Sequence, residues 1–147
     1  MNQLKSRAVQ YKARIAIDIL LENVESIPNV QVWADKARMS RRWLCRSIRM
    51  AYGKSPKEIL REVKFEKVVC LILDQGLEAG CYSVGIDSGF KSASGLSKFL
   101  SAYHNVTFTE LKNVIIAEGK HLNFHWLKKY PKQKQTSQMG NSFSLWI

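Results

Sequence analysis

The chain has 147 residues, 46% of them hydrophobic and 10% aromatic, enough for one compact domain of ordinary size or two very small ones and too apolar for a disordered chain. Its longest unbroken apolar run, residues 68–73, is far too short to span a bilayer, and residues 1–10 hold no apolar stretch ahead of a cleavage site, so the cytoplasm is the expected compartment. A net charge of +11 implies a polyanionic partner.

The apolar spacing predicts helices throughout. A first helix runs from Arg7 to Asn23, with Ile15, Ile17, Ile19, Leu20 and Leu21 on its inner side, and Pro28 breaks the chain after it. Asn29 is placed to cap a short second helix, Val30 to Arg38, with Val32, Trp33 and Ala37 inward. Ser40 caps a third, in which Leu44, Ile48 and Ala51 form an apolar stripe and Gly53 supplies the stop. Ser55-Pro56-Lys57-Glu58 is the strongest local signal: an N-cap, proline at the first helical position, and a glutamate three residues after the cap. It opens a long fourth helix to about Asp74, buried through Ile59, Leu60, Val63, Val68, Leu71 and Ile72.

Cys81, Val84 and Ile86 suggest a short fifth helix ended by Gly89, and Ser92 caps a sixth with Leu96, Phe99, Leu100 and Tyr103 inside. Thr107 and Glu110 form a second capping box for a seventh, Phe108 to about Glu118. Two stretches thus share one grammar, a short helix, a tight turn and a serine-capped second helix, which is the helix-turn-helix arrangement. Periodicity alone also allows a plain helical bundle. The fold class expected is all-α, about seven helices forming two helix-turn-helix units joined by a long linker helix. The first unit covers about 8–53, the linker 56–74 and the second unit about 80–117, within a double helix-turn-helix domain of residues 1–117.

Charge separates these halves. Residues 31–68 carry eleven Lys and Arg against four Asp and Glu, whereas residues 69–117 carry three against four. Arg38, Arg41, Arg42, Arg46 and Arg49 fall within twelve residues, and no acid occurs from Lys36 to Lys57. Arginine leads in this cluster, and its fork suits phosphates and guanine edges.

Several motifs are then recognisable in order. Met39-Ser40-Arg41-Arg42-Trp43-Leu44-Cys45-Arg46-Ser47-Ile48 resembles the first recognition helix of AraC/XylS-type transcription regulators. Gly53-Lys54-Ser55-Pro56 through Leu71-Ile72-Leu73 resembles that family's joining segment, and Gly89-Phe90-Lys91-Ser92-Ala93-Ser94-Gly95-Leu96, followed by Leu100 and Asn105-Val106-Thr107-Phe108, its most diagnostic stretch. The resemblance covers roughly Ala8 to Val114. Gly85 stands where the family usually has Ala, Leu96 and Leu100 replace a Phe pair, and Asn105 and Phe108 replace Gly and Pro. Lys64 occupies a common Arg position and Val68 a common Ala position.

The resemblance implies a double-stranded DNA-binding transcription regulator, an activator that contacts RNA polymerase and binds DNA as a monomer, of the short MarA/SoxS type without a ligand-binding domain. On a helix beginning after Ser40, Arg41, Arg42, Arg46 and Arg49 share a face opposite Leu44 and Ile48. By resemblance Arg42 and Arg46 reach base edges, Arg41 and Arg49 suit phosphates, and Trp43 flanks them. The second recognition helix offers shorter donors: Lys91 and Lys98 for phosphate, Ser94 and Ser97 for short hydrogen bonds, and Ser92 at the cap. The expectation is lopsided, with the first unit reading sequence and the second fixing register or reading shape.

No nucleophile triad, carboxylate pair or phosphate-cradling loop stands out, so neither an enzyme nor a cofactor is expected. Cys45, Cys70 and Cys81 form no C-x-x-C pair and read as reduced thiols. His121 and His125, with Glu118 nearby, have the spacing of a helical metal pair, but a surface pair is the better reading. Residues 118–147 carry a net +4 and read as a basic, partly mobile tail, with docking of Phe124 and Trp126 on the domain as the competing reading. A non-specific nucleic-acid binder and a protein-interaction module that has kept the fold are the rival functions.

Overall fold

The computed structural model describes residues 3–118 and 124–127. All regular structure among them is helical: α1 (Gln3–Glu22), α2 (Val30–Lys36), α3 (Arg41–Tyr52), α4 (Pro56–Gln75), α5 (Cys81–Asp87), α6 (Ala93–His104) and α7 (Phe108–Glu118), with 3-10 turns at Val24–Ser26 and Gly76–Glu78. The chain divides into two compact units between Val63 and Lys64, inside α4.

In the first unit, α1 packs on α2 and α3, and α2 packs on α3. The buried lane of α1 is Val9, Ala13, Ala16, Ile17, Leu20 and Leu21. Ile15, expected inside, is 37% exposed, because close approach of the helices puts small alanines in the lane that large residues were expected to fill. Trp33 is fully buried, and its indole N–H donates to the Ala16 carbonyl at 2.8 Å, which satisfies the ring's polar edge inside the core. Around it Val30 and Ala34 are buried, while Val32 and Ala37 are half-buried, so the inner face of α2 is rotated from the expected one.

Local chemistry sets the ends. The Asn29 side chain accepts the Val32 N–H at 2.9 Å and the Ser40 hydroxyl accepts the Trp43 N–H at 3.0 Å. Gly53, at φ +69°, closes α3. Ser55 and Glu58 form the expected capping box, and Lys54 pairs with Glu62 at 2.8 Å. Arg38 is outside α2 instead of being its last residue. Its φ is +57°, its N–H reaches the Asp35 carbonyl, and the Met39 N–H reaches the Ala34 carbonyl, which together make a Schellman ending. A non-glycine residue in that conformation costs about 1 kcal/mol or more.

The second unit repeats this turn with glycine. Gly89 has φ +91°, its N–H reaches the Ile86 carbonyl and the Phe90 N–H reaches the Gly85 carbonyl. A Cβ on Gly85 would lie 3.4 Å from both the Leu96 Cβ and the Ser92 carbonyl oxygen, so α5 and α6 approach closely. The core gathers Val68, Val69, Ile72, Ala79, Val84, Leu96, Phe99, Leu100, Leu111 and Ile115. Tyr103, expected inside, is 55% exposed and meets this core at Phe99, with 5.5 Å between ring centroids. Asn105 ends α6 at φ +53°, and Thr107 with Glu110 completes the second capping box.

Lys112 donates to the carbonyls of Leu77 and Ala79 and so ties the second 3-10 turn to α7. Residues 124–127 are docked: the Glu66 carboxylate accepts the backbone N–H groups of His125, Trp126 and Leu127 at 2.8–3.0 Å, and Trp126 and Leu127 are buried. Phe124 packs on the core of this unit. His121 and the lysine-rich residues 128–134 lie outside the described residues.

Candidate nucleic-acid interface

The first unit supplies a helix whose two faces differ completely. Leu44, Ser47 and Ile48 of α3 are buried, while Arg41, Arg42, Arg46 and Arg49 are exposed on the opposite side. Ser47 can be buried because its hydroxyl donates to the Leu44 carbonyl at 3.2 Å. Among the described residues no ion pair or side-chain hydrogen bond engages any of the four arginines. Their charge is therefore not neutralised by the described residues, and it adds to that of the N-terminal end of the helix, where backbone N–H groups contribute positive potential. Trp43 is half-buried in the first turn, and the Arg46 guanidinium stands over its ring, 6.0 Å from the centroid.

The second unit presents a different face. Ser94, Ser97 and Lys98 of α6 are exposed, as is Lys91 in the turn before it. Ser92 is half-buried and its hydroxyl accepts the Gly95 N–H at 3.0 Å, so its first task is the cap. Ser97 also lies 3.7 Å from the Cys81 thiol. All three cysteines are free, and burial pushes the Cys70 thiol up to about 12, which makes it an unreactive core residue. The expected site residues thus fall into two groups, one on each unit: a group of long arginines on α3 and a group of short hydroxyls with two lysines on and before α6.

Two residues that hold the second unit together were not singled out as such from sequence. Lys64 is only 6% exposed, its ammonium donates to the Gly89 carbonyl at 3.2 Å and it stands 4.7 Å from the Phe90 ring centre, so it grips the turn that precedes α6. Burial lowers its pKa to about 8. Glu66, one turn-half further on, holds residues 125–127 as described above. For Lys64 a signal existed: it sits in the lane of Leu60 and Val68, four residues from each, where a lysine interrupts an apolar stripe.

A family model described as a helix-turn-helix domain matches residues 33–113. No curated protein matches the chain. Among solved structures, the fold is similar to a transcriptional regulator from Chromobacterium violaceum described among AraC-type DNA-binding domain-containing proteins, with 22% identity, a TM-score of 0.59, and coverage of 74% of this chain and 95% of that one. It is also similar to the DNA-binding domain of AdpA, a global transcriptional factor solved in complex with a target DNA, with 19% identity, a TM-score of 0.61, and coverage of 75% and 97%.

Proposed function

Since the chain belongs to the AraC/XylS-type helix-turn-helix family, a family of DNA-binding regulators and not of enzymes, we propose that it is a transcription regulator that recognises a specific duplex sequence, with α3 dominating base readout. The observation that carries this reading is the set of four exposed arginines on one face of α3, without ion-pair or side-chain hydrogen-bond partners among the described residues and opposite the buried Leu44, Ser47 and Ile48. Arg42 and Arg46 are assigned to base edges, Arg41 and Arg49 to phosphates. Lys91 and Lys98, with Ser92, Ser94 and Ser97, dock the second unit on the backbone and set register. The reading places the protein in the cytoplasm with its DNA, bound as a monomer through its two units, and activating by contact with RNA polymerase.

Selection of bound duplexes from a random pool tests the assignment. Arg46→Ala is expected to flatten base preference at one position of the first half-site and to cost about 1–3 kcal/mol against the selected duplex, since a bidentate donor is lost. An unchanged motif would remove Arg46 from base readout, and a wild-type chain that enriches no motif would favour the non-specific binder instead. Lys98→Ala, by contrast, is expected to weaken binding to all duplexes about equally and to lower the slope of log affinity against log salt by roughly one. Wild-type binding by this variant across the whole salt range would mean that α6 is not docked on DNA.

A further inference from the structure

We propose that Trp43 is a positioning residue for Arg46: the indole face presets the guanidinium, so that Arg46 reads a guanine edge and not a phosphate. The proposal rests on the reading of α3 as the base-reading helix and names what that helix reads. Trp43 and Arg46 are one turn apart on the same side of α3, and the guanidinium stands over the ring, 6.0 Å from its centroid. Trp43 is half-buried and its backbone N–H donates to the Ser40 hydroxyl at 3.0 Å, which anchors the stretch of main chain that carries the ring.

Three physical consequences follow for Arg46. A free arginine loses rotamer freedom when it is immobilised, and a side chain already held near a ring has surrendered part of that freedom before DNA arrives. A guanidinium that meets a ring with its flat face keeps its N–H edge open, which is the edge that matches the O6 and N7 acceptors of guanine. The ring is also neutral, so the full positive charge remains available, as it would not beside a carboxylate. Arg42, exposed and one turn nearer the cap than Arg46, has no ring contact among the described residues. A phosphate accepts donors from many directions and gains little from a preset fork, whereas two acceptors in a fixed base plane gain most.

The test uses the full chain and two readouts. Side-chain nitrogen relaxation of the DNA-free protein is expected to show Arg46 Nε more ordered than Arg42 Nε, equal to it in Trp43→Leu, and largely restored in Trp43→Phe. In pool selection and competition binding, Trp43→Leu is expected to reduce discrimination roughly two- to fivefold at the same guanine position that Arg46→Ala flattens, and to add nothing in the Arg46→Ala background. Trp43→Phe keeps the measurement available if the leucine variant does not fold. Equal mobility of Arg42 and Arg46 in the wild type overturns the pairing. An effect of Trp43→Leu at a different base, or one that adds fully to Arg46→Ala, overturns the positioning role and makes Trp43 a DNA contact itself. A wild type that selects no motif overturns the functional reading and the guanine with it, while the relaxation measurement still decides whether the two side chains pair.

Discussion

Trp126→Ala is expected to lower the stability of the second unit by about 3 kcal/mol, the cost of removing a large buried aromatic and leaving a cavity. Trp126 is 8% exposed, and its segment follows α7 after a stretch that carries no regular pattern in the sequence. What holds it is a carboxylate. Glu66 accepts three successive N–H groups from residues 125–127, as an N-terminal capping group does for a helix, and each such charge-assisted bond is stronger than a neutral one. Glu66→Gln keeps the shape but removes the charge, so a smaller loss of about 1 kcal/mol is expected. For a chain of this length the Trp126 variant should melt roughly 10 °C lower, measured by circular dichroism at matched concentration. A melting temperature within 2 °C of wild type would mean that residues 124–127 rest on the unit without stabilising it. The same segment starts the lysine-rich stretch, so its release would also move the origin of those charges.

Which features were legible in the sequence follows from their range. Each side-chain cap is a contact between residues three apart, and Asn29, Ser40, Ser55 with Glu58, Ser92, and Thr107 with Glu110 all occur where the local pattern placed them. The starts of α2, α3, α4, α6 and α7 were fixed by these residues. The inner faces were less legible, because they depend on how closely helices approach. Alanine reads as neutral in a hydrophobic pattern, yet Ala13 and Ala16 are the fully buried residues that admit the neighbours of α1. Arg38 went into the wrong element for a different reason: arginine is a good helix former, and only the bonds from Arg38 and Met39 back to Asp35 and Ala34 show that the chain has already turned.

The candidate interface was legible to the extent that charge must be exposed. Four arginines without an acid nearby can only face outward, and they do. The partners of Lys64 and Glu66 were illegible because they lie 25 and 59 to 61 residues away. A lysine in an apolar lane announces that something polar must meet it, but the lane does not say that the Gly89 carbonyl will. The two helix-turn-helix turns also reach one geometry by different residues. Gly89 takes the left-handed position freely, while Arg38 takes it at a cost, and the difference is invisible to any pattern of hydrophobicity.

Between pH 8 and 10.5 the stability of the wild-type chain is expected to rise relative to Lys64→Met, by up to about 3 kcal/mol across the window. The sign follows from where the proton is held. Burial lowers the folded-state pKa of Lys64 from 10.5 to about 8, so in this window the folded chain has released the proton that the unfolded chain still binds. Unfolding then takes up a proton, and raising the pH makes unfolding less favourable. Below pH 8 both states are protonated and the full cost of burying the ammonium is present, offset in part by the Gly89 carbonyl and the Phe90 ring. The comparison with Lys64→Met isolates this effect, because the methionine variant keeps every other titratable group and removes only the buried amine. Chemical denaturation of both proteins at half-unit steps of pH reads the difference directly. Parallel curves would mean that Lys64 keeps an ordinary pKa in the fold, and that the grip on the Gly89 turn is made by an ammonium still in contact with water.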